Sequence, residues 1–66
     1  MINTIALERL RIENDFSYEE ISHRMGYAHK SSYSKKLRNK GSIFTLQDIM
    51  KLCEIFGVEP NDLLIH

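Results

Sequence analysis

A single cysteine, Cys53, excludes an internal disulfide and any cysteine-based zinc site. It stands beside Leu52 on an apolar helical face, which predicts a small core residue and not a reactive thiol. The histidines His23, His29 and His66 lack helical ligand spacing, so no metal site and no cofactor is expected. No apolar run approaches the roughly 20 residues that span a bilayer, and the N-terminus lacks the basic and apolar regions of a signal peptide. The expected compartment is the cytoplasm, with no membrane partner. A length of 66 residues allows one domain, residues 1–66, which buries only about 60% of its unfolded surface. A core that small makes elaborate chemistry improbable. Ser32-Tyr33-Ser34-Lys35 matches the Ser-x-x-Lys nucleophile motif of penicillin-recognising enzymes, but no second motif accompanies it, and no enzyme is expected. With 42% apolar and 27% charged residues the chain has the composition of a folded, soluble domain and not of a disordered one.

The most telling absence is of one charge. No Asp or Glu occurs from Ile21 to Gln47, while Arg24, Lys30, Lys35, Lys36, Arg38 and Lys40 all do. The nine acids of the chain lie outside this window and bring the formal charge to zero. A partner that binds through charge is therefore expected at the middle of the chain.

Apolar residues recur at three and four and nowhere alternate for long, which predicts an all-α domain. Helix 1 is expected from about Asn3 to Asn14, with Ala6, Leu7 and Leu10 on one stripe. Ser17-Tyr18-Glu19-Glu20 reads as a capping box, with Phe16 and Ile21 as a hydrophobic staple, and Gly26 closes helix 2. Tyr33 and Leu37, one turn apart, anchor a helix from about Lys30 to Asn39. Asn39-Lys40-Gly41-Ser42 reads as an exposed loop. Thr45 caps the next helix, Asp48 suits its positive end, and Phe44 with Ile49 form a second staple. Ile49, Leu52, Cys53 and Phe56 make its stripe, and Gly57 stops it. A final helix is expected from Pro60 to Leu64, with Leu63 and Leu64 facing the core.

A short capped helix, a glycine turn and a second helix with two apolar anchors describe a helix-turn-helix over about residues 17–39. A major groove about 12 Å wide admits one helix, which must offer hydrogen-bonding side chains in its N-terminal half while its back packs on the scaffold. Lys30, Ser31, Ser34 and Lys35 meet that need, and the phosphates alongside would repel carboxylates. Tyr27 and Tyr33 could instead stack on bases, but their spacing with Met25 and Leu37 favours packing under the turn.

At these residues the chain resembles the Cro and phage-repressor type of helix-turn-helix, the xenobiotic-response-element family. Leu7-Glu8-Arg9-Leu10-Arg11 is similar to the family's first-helix Leu-x-x-Leu-Arg. Phe16-Ser17-Tyr18-Glu19-Glu20-Ile21-Ser22 is similar to its Leu-Ser-Gln-Glu-Glu-Leu-Ala, and Ser34-Lys35-Lys36-Leu37 to the recognition-helix Ser-Lys-Lys-Leu. Phe44-Thr45-Leu46, Phe56-Gly57-Val58 and Leu63-Leu64 are similar to the closing helices. The resemblance implies a compact five-helix bundle of the lambda-repressor-like type, with Lys30, Ser31, Ser34 and Lys35 contacting bases. Tyr18, at a position where the family often has a phosphate-contacting Gln, is expected on the backbone together with Arg24, His29, Arg38, Lys40 and Thr45. Backbone amides around Phe44 to Leu46 are implied as further phosphate donors.

The chain departs from the pattern at three points. The turn from Gly26 to Lys30 is one residue longer than usual. The family's frequent Glu near the end of the recognition helix is Leu37, so Arg11 needs another partner or stays solvated. Many family repressors carry a second domain, and none is expected here. The implied function is a sequence-specific double-stranded DNA-binding transcriptional regulator of phage or mobile-element type. It would occupy a palindromic operator as a homodimer, with Met1, Ile2 and Ile65 as possible dimer contacts if exposed. The alternative, prompted by zero net charge, is a protein-binding modulator or antirepressor that pairs with a larger repressor. An antitoxin that binds both operator and toxin ranks last, since only His66 follows Ile65.

Overall fold

The computed structural model describes residues 2–39 and 44–65. Lys40, and with it most of the expected loop from Asn39 to Ser42, lies outside the described residues, as does Met1. Four α-helices and a closing 3₁₀ turn follow one another, with no β-strand among the described residues. These are α1 (Thr4–Glu13), α2 (Tyr18–Arg24), α3 (Ser32–Arg38), α4 (Leu46–Phe56) and the turn Pro60–Leu63. The expected fifth helix is thus a single 3₁₀ turn that starts at Pro60. Leu64 leaves the turn in extended conformation and pairs with Ile2 in an isolated antiparallel bridge instead of continuing a helix.

Each helix start is set by a side chain that satisfies an otherwise orphaned amide. The Asn3 side chain accepts from the Ala6 amide at 3.1 Å, and Ser17 Oγ from the Glu20 amide at 3.0 Å. The capping box expected at Ser17 forms only in this direction. The Glu20 carboxylate turns away and takes two bonds from Arg24, at 3.1 and 3.3 Å, because a charge-assisted pair one turn on outcompetes a neutral amide. Among the described α-helices the complete box is at α4, where the Asp48 amide donates to Thr45 Oγ1 at 3.1 Å and the Thr45 amide donates to Asp48 Oδ2 at 2.9 Å. Gly26 and Gly57 end α2 and α4 with φ of 80° and 67°, a conformation that costs glycine nothing.

Every element contributes one apolar side chain with no exposed surface: Leu7, Ile21, Tyr33, Leu52 and Leu63. Leu37, Ile49, Cys53 and Phe56 pack around them, so the α4 stripe and the core position of Cys53 are as the spacing predicts. Burial raises the Cys53 thiol pKa, which suits an inert packing residue. Phe16 stacks on Phe56 with ring centroids 6.1 Å apart, and Phe44 meets the Tyr33 ring edge-on at 5.8 Å. Ile2, considered above for a dimer contact, is buried in its own core, because the Asn3 amide donates to the Leu63 carbonyl at 2.7 Å and draws Ile2 and Asn3 onto the 3₁₀ turn. Ile65 remains exposed.

Two carboxylates make stability pH-dependent. Burial raises the pKa of Asp48 and of Glu8, but bonds from Lys36, Thr45 and Tyr27 to the first, and from Arg11 and Tyr18 to the second, outweigh it and leave both below their ordinary values of 3.8 and 4.5. A depressed carboxylate stabilises the fold above its unfolded-state pKa and loses that contribution as pH falls through the folded one. Thermal melts taken from about pH 6 downward should therefore hold level to about pH 5 and decline below the ordinary values, and the decline should shrink in Asp48→Asn.

Candidate nucleic-acid interface

The longer turn between α2 and α3 is held by a serine. Ser22 is fully buried, and its Oγ donates to the Lys30 carbonyl and accepts from the Tyr33 amide, both at 3.1 Å. One hydroxyl thus gives the turn a donor on α2 and caps the start of α3 from outside. The helix accordingly begins at Ser32, later than the expected Lys30, with Ser31 as an N-cap whose own side chain makes no capping bond. Lys30 and His29 belong to the turn, and the His29 carbonyl accepts from the Ser32 amide at 3.2 Å.

With Tyr33 buried and Leu37 half-buried, helical geometry puts Ser31, Ser34, Lys35 and Arg38 on the opposite side of α3. Lys35 and Arg38 are exposed there, Lys30 is exposed at the mouth of the turn, and none of the three has an ion pair among the described residues. Ser34 Oγ donates to the Ser31 carbonyl at 3.0 Å, which leaves its lone pairs as acceptors for a ligand.

The other two described cations of the acid-free window are paired. Arg24 is bound to Glu20, as above, and lies over the Phe16 ring at 4.5 Å. Lys36 Nζ donates to Asp48 Oδ2 at 2.7 Å and lies 4.7 Å from the Tyr27 ring centre, while the Tyr27 hydroxyl donates to Asp48 Oδ1 at 2.8 Å. Acids excluded from the window in sequence therefore return to it in space. Glu8 lines a groove with Ile5, Tyr18, Ser34, Leu37 and Arg38, and Glu19 and Glu20 line another with His23, Tyr27, His29 and Lys30.

Arg11 has the partner that Leu37 cannot provide. Its guanidinium donates to both oxygens of Glu8 at 3.2 Å and to the Phe16 carbonyl at 2.7 Å, and lies over the Tyr18 ring at 4.2 Å. The Tyr18 hydroxyl donates to Glu8 Oε2 at 2.8 Å, a bond that raises its pKa. A phosphate at Tyr18 would have to compete with Glu8 for that proton. At α4 the Thr45 amide is taken by Asp48, so Leu46 and Gln47 carry the first-turn amides left for an anion. The spacing in sequence singled out neither Ser22 nor Asp48 as an interface residue. For Ser22 the one signal was a hydroxyl where the resembled pattern has Ala.

A short capped helix, a fixed turn and a second helix with an exposed basic face define a helix-turn-helix domain. The chain belongs to the Cro/C1-type helix-turn-helix DNA-binding domain family, whose model matches residues 6–66. Neither a curated protein nor a solved structure matches it significantly. No helix among the described residues is long and apolar enough to cross a membrane, and no cluster of potential metal ligands occurs among them.

Proposed function

We propose that the protein is a cytoplasmic, sequence-specific regulator of phage or mobile-element type that represses transcription by occupying a palindromic operator as a homodimer. The observation that carries this reading is the exposed trio Lys30, Lys35 and Arg38, displayed across the turn and the outer side of α3 while Tyr33 anchors its back. In this reading Lys30, Ser31, Ser34 and Lys35 meet base edges, and Arg38, His29 and the first-turn amides of α4 meet phosphates. Tyr18, Arg24, Lys40 and Thr45 complete the backbone contacts. A seven-residue helix offers few base contacts, so two copies reading half-sites about 34 Å apart supply the specificity.

A mobility-shift titration against salt tests the reading. Log affinity should fall linearly with log salt, by about 0.9 for each phosphate neutralised. A slope near zero would overturn it. That outcome would favour a modulator that pairs with another repressor, a reading supported by the neutral net charge and by Ile5, Leu46 and Met50, which are largely exposed.

A further inference from the structure

We propose that Asp48 is a positioning residue of the DNA interface and that it holds Lys36 away from the phosphates. The inference rests on the DNA-binding reading above.

Asp48 divides its two oxygens among three pieces of the interface. Oδ1 accepts from the Tyr27 hydroxyl in the turn, and Oδ2 accepts from Lys36 of α3 and from the Thr45 amide at the head of α4. Its own amide is capped by Thr45. One carboxylate therefore ties together the turn that carries Lys30, the helix that carries Lys35 and the helix end that offers Leu46 and Gln47. These are separated in sequence by 12 residues for Lys36 and 21 for Tyr27, so the carboxylate closes contacts that local structure does not.

The same bonds decide where Lys36 points. Its side chain is 21% exposed and that of Asp48 13%, and the ammonium lies between the carboxylate and the faces of Tyr27 and Phe44, at 4.7 and 5.8 Å. An unpaired lysine on this surface would neutralise a phosphate at any sequence and so raise non-specific affinity. Pairing removes that contribution while Lys30 and Lys35 stay available for base edges. Specificity gains because affinity that carries no sequence information is withheld.

Three variants, compared with wild type on a selected operator and on random-sequence duplex at a temperature where melts show each folded, test the proposal. In Asp48→Asn, operator affinity should fall about tenfold, roughly the loss of one well-placed contact. Its salt slope on random duplex should steepen by about 0.9 as Lys36 is released. Lys36→Gln alone should leave the wild-type slope unchanged, and adding it to Asp48→Asn should cancel the steepening but not the operator loss. A shallower slope in Lys36→Gln would show that the lysine already meets phosphate and would overturn the proposal. So would parallel losses on operator and random duplex in Asp48→Asn, the signature of a structural role alone. Absence of salt-dependent binding in wild type would overturn the DNA-binding reading and this proposal together, a result distinct from either outcome in the variants.

Discussion

Replacing Lys30 and Lys35 together by alanine should weaken operator binding by roughly 2 to 6 kcal/mol, about 1 to 3 for each lost base contact, and relax base preference at the positions they read. The fold should be indifferent. Both side chains are exposed and neither is ion-paired among the described residues, so the melting temperature should stay within the small range of ordinary surface substitutions. In the proposed reading Lys30 acts through its position as well as its charge. Its carbonyl accepts from Ser22 while its side chain is exposed, so the ammonium projects from a backbone point tied to α2. Sequence selection on the double variant would read the effect directly. An unchanged selected motif would show that these lysines do not read bases.

Ser22→Ala should lower stability by about 2 kcal/mol, because it strands a buried Tyr33 amide and a partly buried Lys30 carbonyl. For a domain of this size that corresponds to a melting temperature lower by roughly 10 °C. The loss is large against a total stability of roughly 3 to 10 kcal/mol for such a chain. Because the stranded groups belong to the turn and to the first turn of α3, operator affinity should fall even where the protein remains folded. Thermal melts settle the first point, and a melting temperature within about 2 °C of wild type would contradict it.

The parts of the molecule legible in its sequence are those governed by short-range chemistry. Gly26 and Gly57 end helices because only a residue free at positive φ does so cheaply, and that choice is local. Tyr33 and Leu37 anchor α3 because helical spacing alone puts them on one side. The box at Ser17 forms in one direction only, for a reason equally physical. Ser17 with Glu20 and Thr45 with Asp48 both have the required spacing, but Glu20 is drawn to Arg24 one turn ahead on its own helix, whereas Asp48 meets its lysine, Lys36, from another helix and on the same oxygen that accepts from the Thr45 amide. Which carboxylate turns back depends on what else is within reach.

What the sequence hid is long-range. Lys36 and Tyr27 find Asp48 only after α3 and α4 pack, and the Arg11 pair with Glu8 becomes part of the interface only when Tyr18 arrives beside it. The acid-free window was real as a count and misleading as a surface, since two of its five described cations are neutralised by acids from its flanks. The exposed trio of Lys30, Lys35 and Arg38 is a smaller basic face than six charges suggested.

The brevity of α3 has a consequence for anyone wishing to move the proposed binding preference to another scaffold. Seven residues are too few to hold a helix in water, since nucleation is costly and isolated helices shorter than about 12 residues are marginal. The reading head borrows its shape from Ser22 at one end and Asp48 at the other. A transplant of residues 30–38 alone would carry the letters without the hand that holds them. A graft that also brings a buried hydroxyl beneath the turn and a carboxylate beside the helix is the smallest unit in which this preference should travel.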